Sequence, residues 1–488
     1  MSAPELFAFD NTYARELDGH YARMEPEGFA QPSLLELNRS LAVELGIDPD
    51  RLASVAAEEL SGNVVPAGAS PLAQAYAGHQ FGGFSPVLGD GRAMLLGELI
   101  DVHGRRRDLQ LKGSGRTPFS RGGDGKAALG PVLREYLMGE AMHHLGIPTT
   151  RALAVVATGE SIVRDGALPG AVLTRVAASH IRVGTFEFFS ARGEHDKLRQ
   201  LADYSIQRHY PDAAEASSPY VALLERVAVA QAQLIAQWMH VGFIHGVMNT
   251  DNATISGETI DYGPCAFMDT YSPTTVFSSI DHNGRYAYGN QPAIGQWNIM
   301  RLAVALAPLF ASSEEEATEI VKPGIALYAD TYGKTWLTGM GTKLGLTEVT
   351  PDDLELVQAF LGLLESQQVD YTNGVRGLSD VLRGSDQKMA GLFSDVEAFG
   401  QWAEDWRRRL TEVDHKATAD AMDRVNPIYI PRNHKVEEAL TAAIADDLAP
   451  FRKMLDVGTH PFDAKEGLDA HAEPAPTDFG PYQTFCGT

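Results

Sequence analysis

The chain has 488 residues, of which 44% are hydrophobic and 21% charged, and its formal net charge is -24. These values are ordinary for a soluble globular protein, and the length is sufficient for two lobes with extensions. The acidic balance argues against nucleic acid as a partner, and no run of the sequence is long and apolar enough to span a membrane.

Residues 1–70 are predicted to be helical and loop-like, as an extension packed on the rest of the chain. Residues 1–10 have neither the basic nor the apolar region of a signal peptide, so we expect a cytoplasmic protein. Pro32 and Ser33, followed by Leu34–Leu37, predict the start of a helix.

A glycine turn follows at Gly89-Asp90-Gly91-Arg92, between strand-like apolar runs. Such a turn lets backbone N–H groups approach a phosphate closely. A hairpin with no ligand has the same pattern, so the turn alone leaves both interpretations open. Next, residues 108–112 alternate polar and apolar side chains, which predicts a strand with Lys112 at its end.

A helix is predicted from Gly130, because Pro131 lies at the favoured first position and apolar residues recur every three to four positions. On this helix Glu135 is the candidate partner of Lys112, as in nucleotide sites where a strand lysine pairs with phosphates. The alternative is a solvated glutamate that only complements the helix dipole.

A basic, glycine-rich loop lies between that strand and helix, with Arg116, Arg121 and Lys126 in an otherwise acidic chain. A polyanion is repelled by the chain at long range, so phosphate binding would require close contacts with arginine and lysine and a metal. Arg175 and Arg182 follow near strand-like runs, and each alone could equally be an ordinary surface arginine.

The segment from His245 to Gly263 is the most informative. Its spacing nearly reproduces the protein-kinase pattern, in which an Asp is the base and an Asn and a second Asp bind magnesium. Counting from His245, the Asn falls on Asn252 and the second Asp on Asp261, but the base falls on Val247, which cannot accept a proton. Amide and carboxylate oxygens suit Mg²⁺ better than Zn²⁺.

Two neighbouring patterns support this interpretation. Apolar residues recur every three to four positions over Leu223–Val241, which predicts an amphipathic helix leading into the loop. Residues 254–260 have β-branched side chains around Gly257 and predict a short hairpin that brings Asn252 and Asp261 together.

These elements predict an α+β, bilobal protein-kinase-like fold with ATP in the cleft between the lobes. We assign residues 1–70 to an N-terminal extension, 71–182 to a strand-rich N-lobe, 183–455 to a helical C-lobe and 456–488 to a C-terminal tail.

The motifs at residues 76–82, 112–118, 121–136 and 245–263 together resemble the selenoprotein O family, kinase-fold proteins that act as protein adenylyltransferases. The resemblance implies that ATP binds in a flipped pose, so that AMP is transferred to Ser, Thr or Tyr hydroxyls of proteins. We expect the chain to modify itself as well and to use Mg²⁺ or Mn²⁺, and UTP stays open as an alternative nucleotide. A kinase that transfers the γ-phosphate and a nucleotide-binding scaffold without turnover remain open.

The resemblance also implies roles by position. The implied nucleotide-binding set is Gly89, Gly91, Arg92, Lys112, Asp124, Gly125, Arg175, Arg182 and Asp261. Asn252 and Asp261 correspond to the metal ligands, and Asp251 to the proton acceptor, with Lys112 and Glu135 supporting catalysis. Asp251 could instead only tune the metal site from beside its ligand.

Cys265 and Cys486 are the only cysteines of the chain. In a reducing cytoplasm two unrelated thiols would be ordinary. The family resemblance implies a redox-active residue near the C-terminus, at the position of Cys486. We therefore predict a transient, regulatory bridge between Cys486 and Cys265.

Overall fold

The fold is built on one eight-stranded antiparallel sheet in the N-terminal half and a helical C-terminal half. It is seen in a computed structural model that describes residues 6–164, 166–410 and 413–485. The predicted α+β, kinase-like bilobal class is confirmed.

The strands of the described residues are β1 (Tyr21–Arg23), β2 (Ser33–Leu37), β3 (Leu72–Gln74), β4 (Gly78–Gln80), β5 (Gly83–Ser85), β6 (Ala93–Ile100), β7 (Arg106–Lys112), β8 (Ala127–Ala128), β9 (Arg151–Val163), β10 (Ala167–Ala177), β11 (Phe243–Ile244) and β12 (Ala266–Phe267). The large sheet has the order β1-β3-β6-β7-β10-β9-β2, and β8 pairs with β10. β4 and β5 form a separate hairpin, and β11 pairs with β12.

The helices are α1 (Thr12–Glu16), α2 (Arg39–Glu44), α3 (Pro49–Glu59), α4 (Leu129–His144), α5 (Val183–Ser190), α6 (His195–His209), α7 (Pro219–His240), α8 (Gln291–Leu306), α9 (Glu314–Lys343), α10 (Asp353–Ser366), α11 (Tyr371–Arg376), α12 (Leu378–Leu382), α13 (Asp386–Ala390), α14 (Val396–Arg409), α15 (His415–Asp423), α16 (Asn433–Ile444), α17 (Ala449–Gly458) and α18 (Asp469–Ala472). Short 3₁₀ helices include Thr250–Asn252. None of the helices within the described ranges combines the length and hydropathy needed to cross a bilayer.

Helices cover both faces of the large sheet. On one face, Leu41 of α2 and Leu52 of α3 share an apolar core with Leu109 of β7. On the other face, Leu133 of α4 packs in a second core with Leu173 of β10, and this core continues into the C-terminal lobe. Burial of these apolar side chains is the main force that fixes the sheet against α4.

The register of the central strands determines which side chains lie together in the site. Lys112 of β7 lies opposite Leu173 of β10, and Gln110 lies opposite Arg175. Since side chains alternate between faces of a strand, Gln110, Lys112 and Arg175 project to the same face. That face carries α4, the helix on which Glu135 lies.

Two local predictions were wrong. Residues 33–37 form strand β2 rather than the start of a helix, because they pair with β9 at the sheet edge. Residues 254–260 form no paired hairpin: Thr254 bridges to Arg182 and Thr259 to Thr149. The turn between them is closed locally by the Thr254 hydroxyl, which donates to the Glu258 carbonyl at 2.6 Å. The assigned domain boundaries stay a prediction, although β1 and β2 of residues 1–70 belong to the large sheet.

Candidate active site

A cavity of about 850 Å³ opens between the sheet and the helical lobe. Its lining contains all the candidate nucleotide, metal and catalytic residues predicted from the sequence, namely Gly89, Gly91, Arg92, Lys112, Asp124, Gly125, Glu135, Arg175, Arg182, Asp251, Asn252 and Asp261. The fold therefore brings together residues that lie up to 172 positions apart, from Gly89 to Asp261.

Lys112 is the link between the two sides of this cavity. Its Nζ lies 2.6 Å from Glu135 Oε2 and 2.6 Å from Asp261 Oδ1. The pairing of Lys112 with Glu135 that the sequence predicts is thus present. Both carboxylates are largely buried, so these charge-assisted hydrogen bonds are weakly screened by solvent.

Arg175 is fully buried beside this lysine, contrary to an ordinary surface arginine. Its guanidinium lies 3.0 Å from Glu135 and 2.8 Å from Asp261, and it donates to Gln110 Oε1 at 2.7 Å. Arg182 is also buried, 3.7 Å from Asp261 Oδ2, and its guanidinium lies 4.4 Å from the Tyr76 ring.

Asp261 therefore lies among three cationic side chains, Lys112, Arg175 and Arg182. Burial alone would raise the pKa of its carboxyl, but the three cations hold that pKa well below its ordinary value. The backbone at Asp261 has φ 63°, in the left-handed region that few residues other than glycine adopt. This conformation is one that Asp and Asn tolerate best among side-chain-bearing residues.

The glycine turn is closely covered by the basic loop. Phe119 packs against Gly89, which has φ 65°, and a Cβ at Gly91 would lie 2.9 Å from the Phe119 carbonyl oxygen. Neither position has room for a side chain.

Charges of the basic loop are partly neutralised by ion pairs. Asp124 receives two hydrogen bonds of 2.9 Å from Arg164, and these hold its pKa down at about 2. Lys126 pairs with Glu160 at 2.5 Å. Asp124 is thus placed to fix the loop, and Gly125 beside it packs against the Gly115 backbone.

The kinase-like loop, residues 245–252, is held by its own polar groups. The buried His245 ring lies 2.9 Å from the Ile260 carbonyl oxygen, which ties the loop to the residue before Asp261. The side-chain amide of Asn252 donates to the Val247 carbonyl at 2.9 Å. This bond uses the side-chain nitrogen of Asn252, so the side-chain oxygen remains available to coordinate a cation.

Asp251 is buried at the edge of the cavity. Its Oδ2 accepts a hydrogen bond of 3.2 Å from Gln80, whereas its Oδ1 is buried without a hydrogen-bond partner. Burial raises the pKa of this carboxyl to about 6, although the nearby Arg182 opposes the shift. That oxygen lies against Gly78, and burial without a hydrogen-bond donor disfavours the charged form of the carboxyl.

The side chains present fit a hard divalent cation. Within the described part of the chain there is no cluster of three or more His, Cys, Asp and Glu side chains that could hold a metal alone. The oxygens of Asn252 and Asp261, which both line the cavity, match a magnesium-type site completed by phosphates and water.

Sequence reasoning missed the hairpin of β4 and β5, which buttresses this loop. His79 Nδ1 lies 2.7 Å from Glu187, which also accepts a hydrogen bond of 2.5 Å from the Thr250 hydroxyl. Gly78 leaves no space for a Cβ because Asp251 fills it. The motif at residues 76–82 covers this hairpin, but the sequence alone gave no chemical role to the motif.

Cys265 lies in the segment that follows Asp261. Cys265 is fully buried, its thiol donates to the Tyr262 carbonyl at 3.3 Å, and burial raises its pKa to about 12. Cys486 lies outside the described residues. The end of the described tail reaches this region, since the Thr484 hydroxyl donates to the Pro264 carbonyl at 2.6 Å. The bridge between the two cysteines stays a prediction.

Comparison with known proteins places this site in a family. A family model described as "Protein adenylyltransferase SelO" matches residues 6–458. A protein named "Protein nucleotidyltransferase YdiU" from Cereibacter sphaeroides (strain KD131) is 58% identical over 484 residues, covering 99% of this chain and 100% of the relative. Proteins of the same name from Rhizobium meliloti (strain 1021) and Rhodopseudomonas palustris (strain HaA2) are 56% and 55% identical, each over 99% of both chains. The chain therefore belongs to the protein adenylyltransferase SelO family.

Proposed function

We propose that this protein transfers AMP from ATP to Ser, Thr or Tyr hydroxyls of protein substrates, including itself. The observation that carries the proposal is the placement of acids in the cleft. The Lys112–Glu135–Asp261 arrangement of a kinase is present, while Val247 stands where the kinase base would be. The next acid along the chain is Asp251, four positions later, and it lines the same cavity.

The cations of the site suit a pyrophosphate leaving group. In adenylate transfer the acceptor oxygen bonds to the α-phosphorus, and the bond from that phosphorus to the bridging oxygen of the β-phosphate breaks. Negative charge then develops on the departing pyrophosphate. Lys112, Arg175 and Arg182 are fixed around the cleft before the reaction begins, and such preorganised charges stabilise developing anions strongly.

In the structure, Lys112 pairs with both Glu135 and Asp261, and Arg175 pairs with Glu135. Mg²⁺ or Mn²⁺ held by the oxygens of Asn252 and Asp261 would supply charge neutralisation of the phosphates. Engagement of the Asp261 charge in this way would free donors of Lys112 and Arg175 for phosphate oxygens.

Asp251 is proposed to take the proton of the acceptor hydroxyl. Gln80 holds Oδ2, Oδ1 packs against Gly78, and the residue lines the cavity. A carboxylate within hydrogen-bond reach of the incoming hydroxyl is sufficient for this role. A purely supporting role beside Asn252 is the alternative, and it predicts a smaller effect of Asp251→Asn on the transfer step.

The test is incubation with ATP labelled on either the α- or the γ-phosphate, in the presence of Mg²⁺ or Mn²⁺. We expect protein-bound label from the α-position only, with an added adenylate mass in intact mass spectrometry. Label from the γ-position would instead establish a kinase, and label from neither would establish a scaffold. Asp405→Asn, at an exposed side chain of α14, is the control for Asp251→Asn.

The finer features predicted from the sequence are part of this proposal. They are a cytoplasmic location, the use of UTP beside ATP, and the absence of a nucleic acid or membrane partner. Parallel reactions with α-labelled UTP and ATP compare the two nucleotides directly.

A further inference from the structure

The hairpin formed by β4 and β5 is fixed to the loop that carries Asp251. The His79 backbone N–H donates to the Thr250 hydroxyl at 2.7 Å, and the Phe81 N–H donates to Asn249 Oδ1 at 3.1 Å. Gln80 bonds Asp251 itself. The outer surface of this hairpin is therefore held at a set position beside the proposed proton acceptor.

Aromatic and cationic side chains meet on that outer surface. The Phe84 ring, 43% exposed, lies 4.9 Å from the His79 ring, which lies 5.4 Å from Trp297 of α8. The Arg285 guanidinium lies 4.8 Å from the centre of the Trp297 ring, and that of Arg301 lies 5.8 Å from it. We call these five residues, His79, Phe84, Arg285, Trp297 and Arg301, the aromatic rim.

An apolar stripe of α8 extends the aromatic rim. Met300 is 41% exposed and Val304 is 57% exposed. With Trp297 they follow the three-to-four spacing of one helix face. Contiguous exposed apolar groups of this kind mark interaction surfaces.

The positive charge of the aromatic rim is only partly neutralised by the described part of the chain. Within the described ranges, Arg285 forms no ion pair, and the nearby Asp281 carboxylate accepts the backbone N–H groups of Arg285 and Tyr286. Arg301 has Glu187 at 3.7 Å, and that carboxylate already binds His79 and Thr250. In a chain of net charge -24, such a local excess is complementary to an acidic partner.

We propose that the aromatic rim binds an acidic, apolar-containing segment of the acceptor protein and so presents a neighbouring hydroxyl to Asp251. This inference rests on the proposed function and adds the chemistry of its substrate. Carboxylates of the segment pair with Arg285 and Arg301. Its apolar side chains cover Phe84, Trp297 and the stripe of α8.

Fluorescein-labelled synthetic peptides test this directly. Each peptide has one central Ser, Thr or Tyr, with apolar residues beside it and either glutamates or lysines at both ends. We expect the glutamate peptides to bind at least about tenfold more tightly than the lysine peptides by fluorescence anisotropy. The difference should shrink as salt is raised, because rim charges are screened.

Charge reversal at one arginine supplies the control. Arg285→Glu should weaken binding of the glutamate peptides by about tenfold and should favour the lysine peptides. Arg408→Glu makes the same charge change at a side chain that is 71% exposed on α14, and it should bind like the unchanged protein. Arg285→Gln serves as the milder variant if the reversal lowers the yield of folded protein.

The outcomes separate the two proposals. Equal binding of glutamate and lysine peptides, no binding of either, or an Arg285→Glu variant that binds like the unchanged protein overturns the docking surface. A single-stranded RNA that binds as tightly as the glutamate peptides also overturns it, in favour of general polyanion binding. Failure of α-label transfer overturns the proposed function, whatever the peptides show. If transfer to a bound peptide occurs, Arg285→Glu should raise its KM and leave kcat nearly unchanged.

Discussion

Lys112 and Asp261 are 149 positions apart in the chain and are joined by a 2.6 Å ion pair across the cleft. Lys112 ends strand β7 of the sheet, whereas Asp261 follows the kinase-like loop of the helical lobe. Because the bond crosses between the lobes, it couples their relative position to the charge state of the site. A nucleotide and metal that engage Asp261 must replace this bond with others.

Lys112→Ala should reduce adenylate transfer by roughly 10²- to 10³-fold, because a preorganised donor for the leaving group is lost. The measurement is the initial rate of α-label transfer at saturating ATP, with thermal unfolding followed in parallel. Lys322→Ala, at an exposed side chain of α9, should leave the rate unchanged. A full rate in the Lys112 variant would remove Lys112 from the proposed mechanism.

Glu135→Gln should be milder than Lys112→Ala. In the structure one Glu135 oxygen accepts from Lys112 and the other accepts from Arg175. The glutamine keeps one oxygen acceptor but loses the charge and the second acceptor, which becomes an NH2 donor, so Lys112 remains positioned only in part. We expect a larger loss in Glu135→Ala, and kcat and the KM for ATP of both variants provide the comparison. Equal losses in the two variants would contradict this reasoning.

Asp261→Ala should abolish turnover and also destabilise the fold. It leaves Lys112, Arg175 and Arg182 without their shared carboxylate, and removing one partner of a buried ion pair costs roughly 3 to 5 kcal/mol. Alanine also disfavours the left-handed backbone at this position by about 1 kcal/mol.

Asp261→Asn separates these contributions. Asparagine tolerates the left-handed conformation, so this variant should be more stable than Asp261→Ala and equally inactive. Urea unfolding measures the first comparison and α-label transfer the second. Unchanged transfer in either variant would contradict the assignment of Asp261 as a metal ligand.

The elements that carry the site could be predicted because their signals are local. Residues 108–112 alternate like a strand, and residues 130–145 have helical periodicity with Pro131 near the start. The spacing from His245 to Asp261 also encodes the loop within a short segment. Residues 33–37, in contrast, have a local helix-start pattern that is overridden by pairing with β9, more than a hundred positions later.

The role of Arg175 shows a second limit. Alone in the sequence it is indistinguishable from a surface arginine, but its partners Gln110, Glu135 and Asp261 come from β7, α4 and the segment after the kinase-like loop. Only the register of the sheet brings these side chains together. The buttress of His79 and Glu187 was missed for the same reason, since its residues are 108 positions apart.

Glu258 should make the stability of the protein depend on pH. Burial raises its pKa from about 4.5 to about 7, although Arg107, 3.4 Å away, opposes the shift. The folded protein therefore favours the protonated form of this carboxyl. The resulting stabilisation is fully present below about pH 4.5 and is lost as the pH rises through about 7.

The comparison with Glu258→Gln isolates this effect, since glutamine does not titrate. Between about pH 4 and pH 8, the free energy of unfolding of the unchanged protein should fall relative to the variant by on the order of 3 kcal/mol. Glu319→Gln, at an exposed side chain, should show no such pH-dependent difference. A constant difference between the protein and Glu258→Gln across this range would show that folding does not shift the pKa of Glu258.

Cys265 should be nearly unreactive in the folded protein. Its thiol is fully buried with a pKa raised to about 12, so the reactive thiolate is scarce at neutral pH. Iodoacetamide should modify it at least about a hundredfold more slowly in the native protein than after unfolding, as measured by peptide mass spectrometry. The predicted bridge to Cys486 then requires that the segment after Asp261 open first, so oxidation should be slow and should speed up in Asp261→Ala, where the ion pairs around the cleft are lost.

Mild oxidation followed by non-reducing peptide mapping should find the two cysteines joined, and reductant should raise α-label transfer in the unchanged protein but not in Cys486→Ala. Free thiols at both positions after oxidation, or a response to reductant that persists in Cys486→Ala, would rule out the bridge as a regulator.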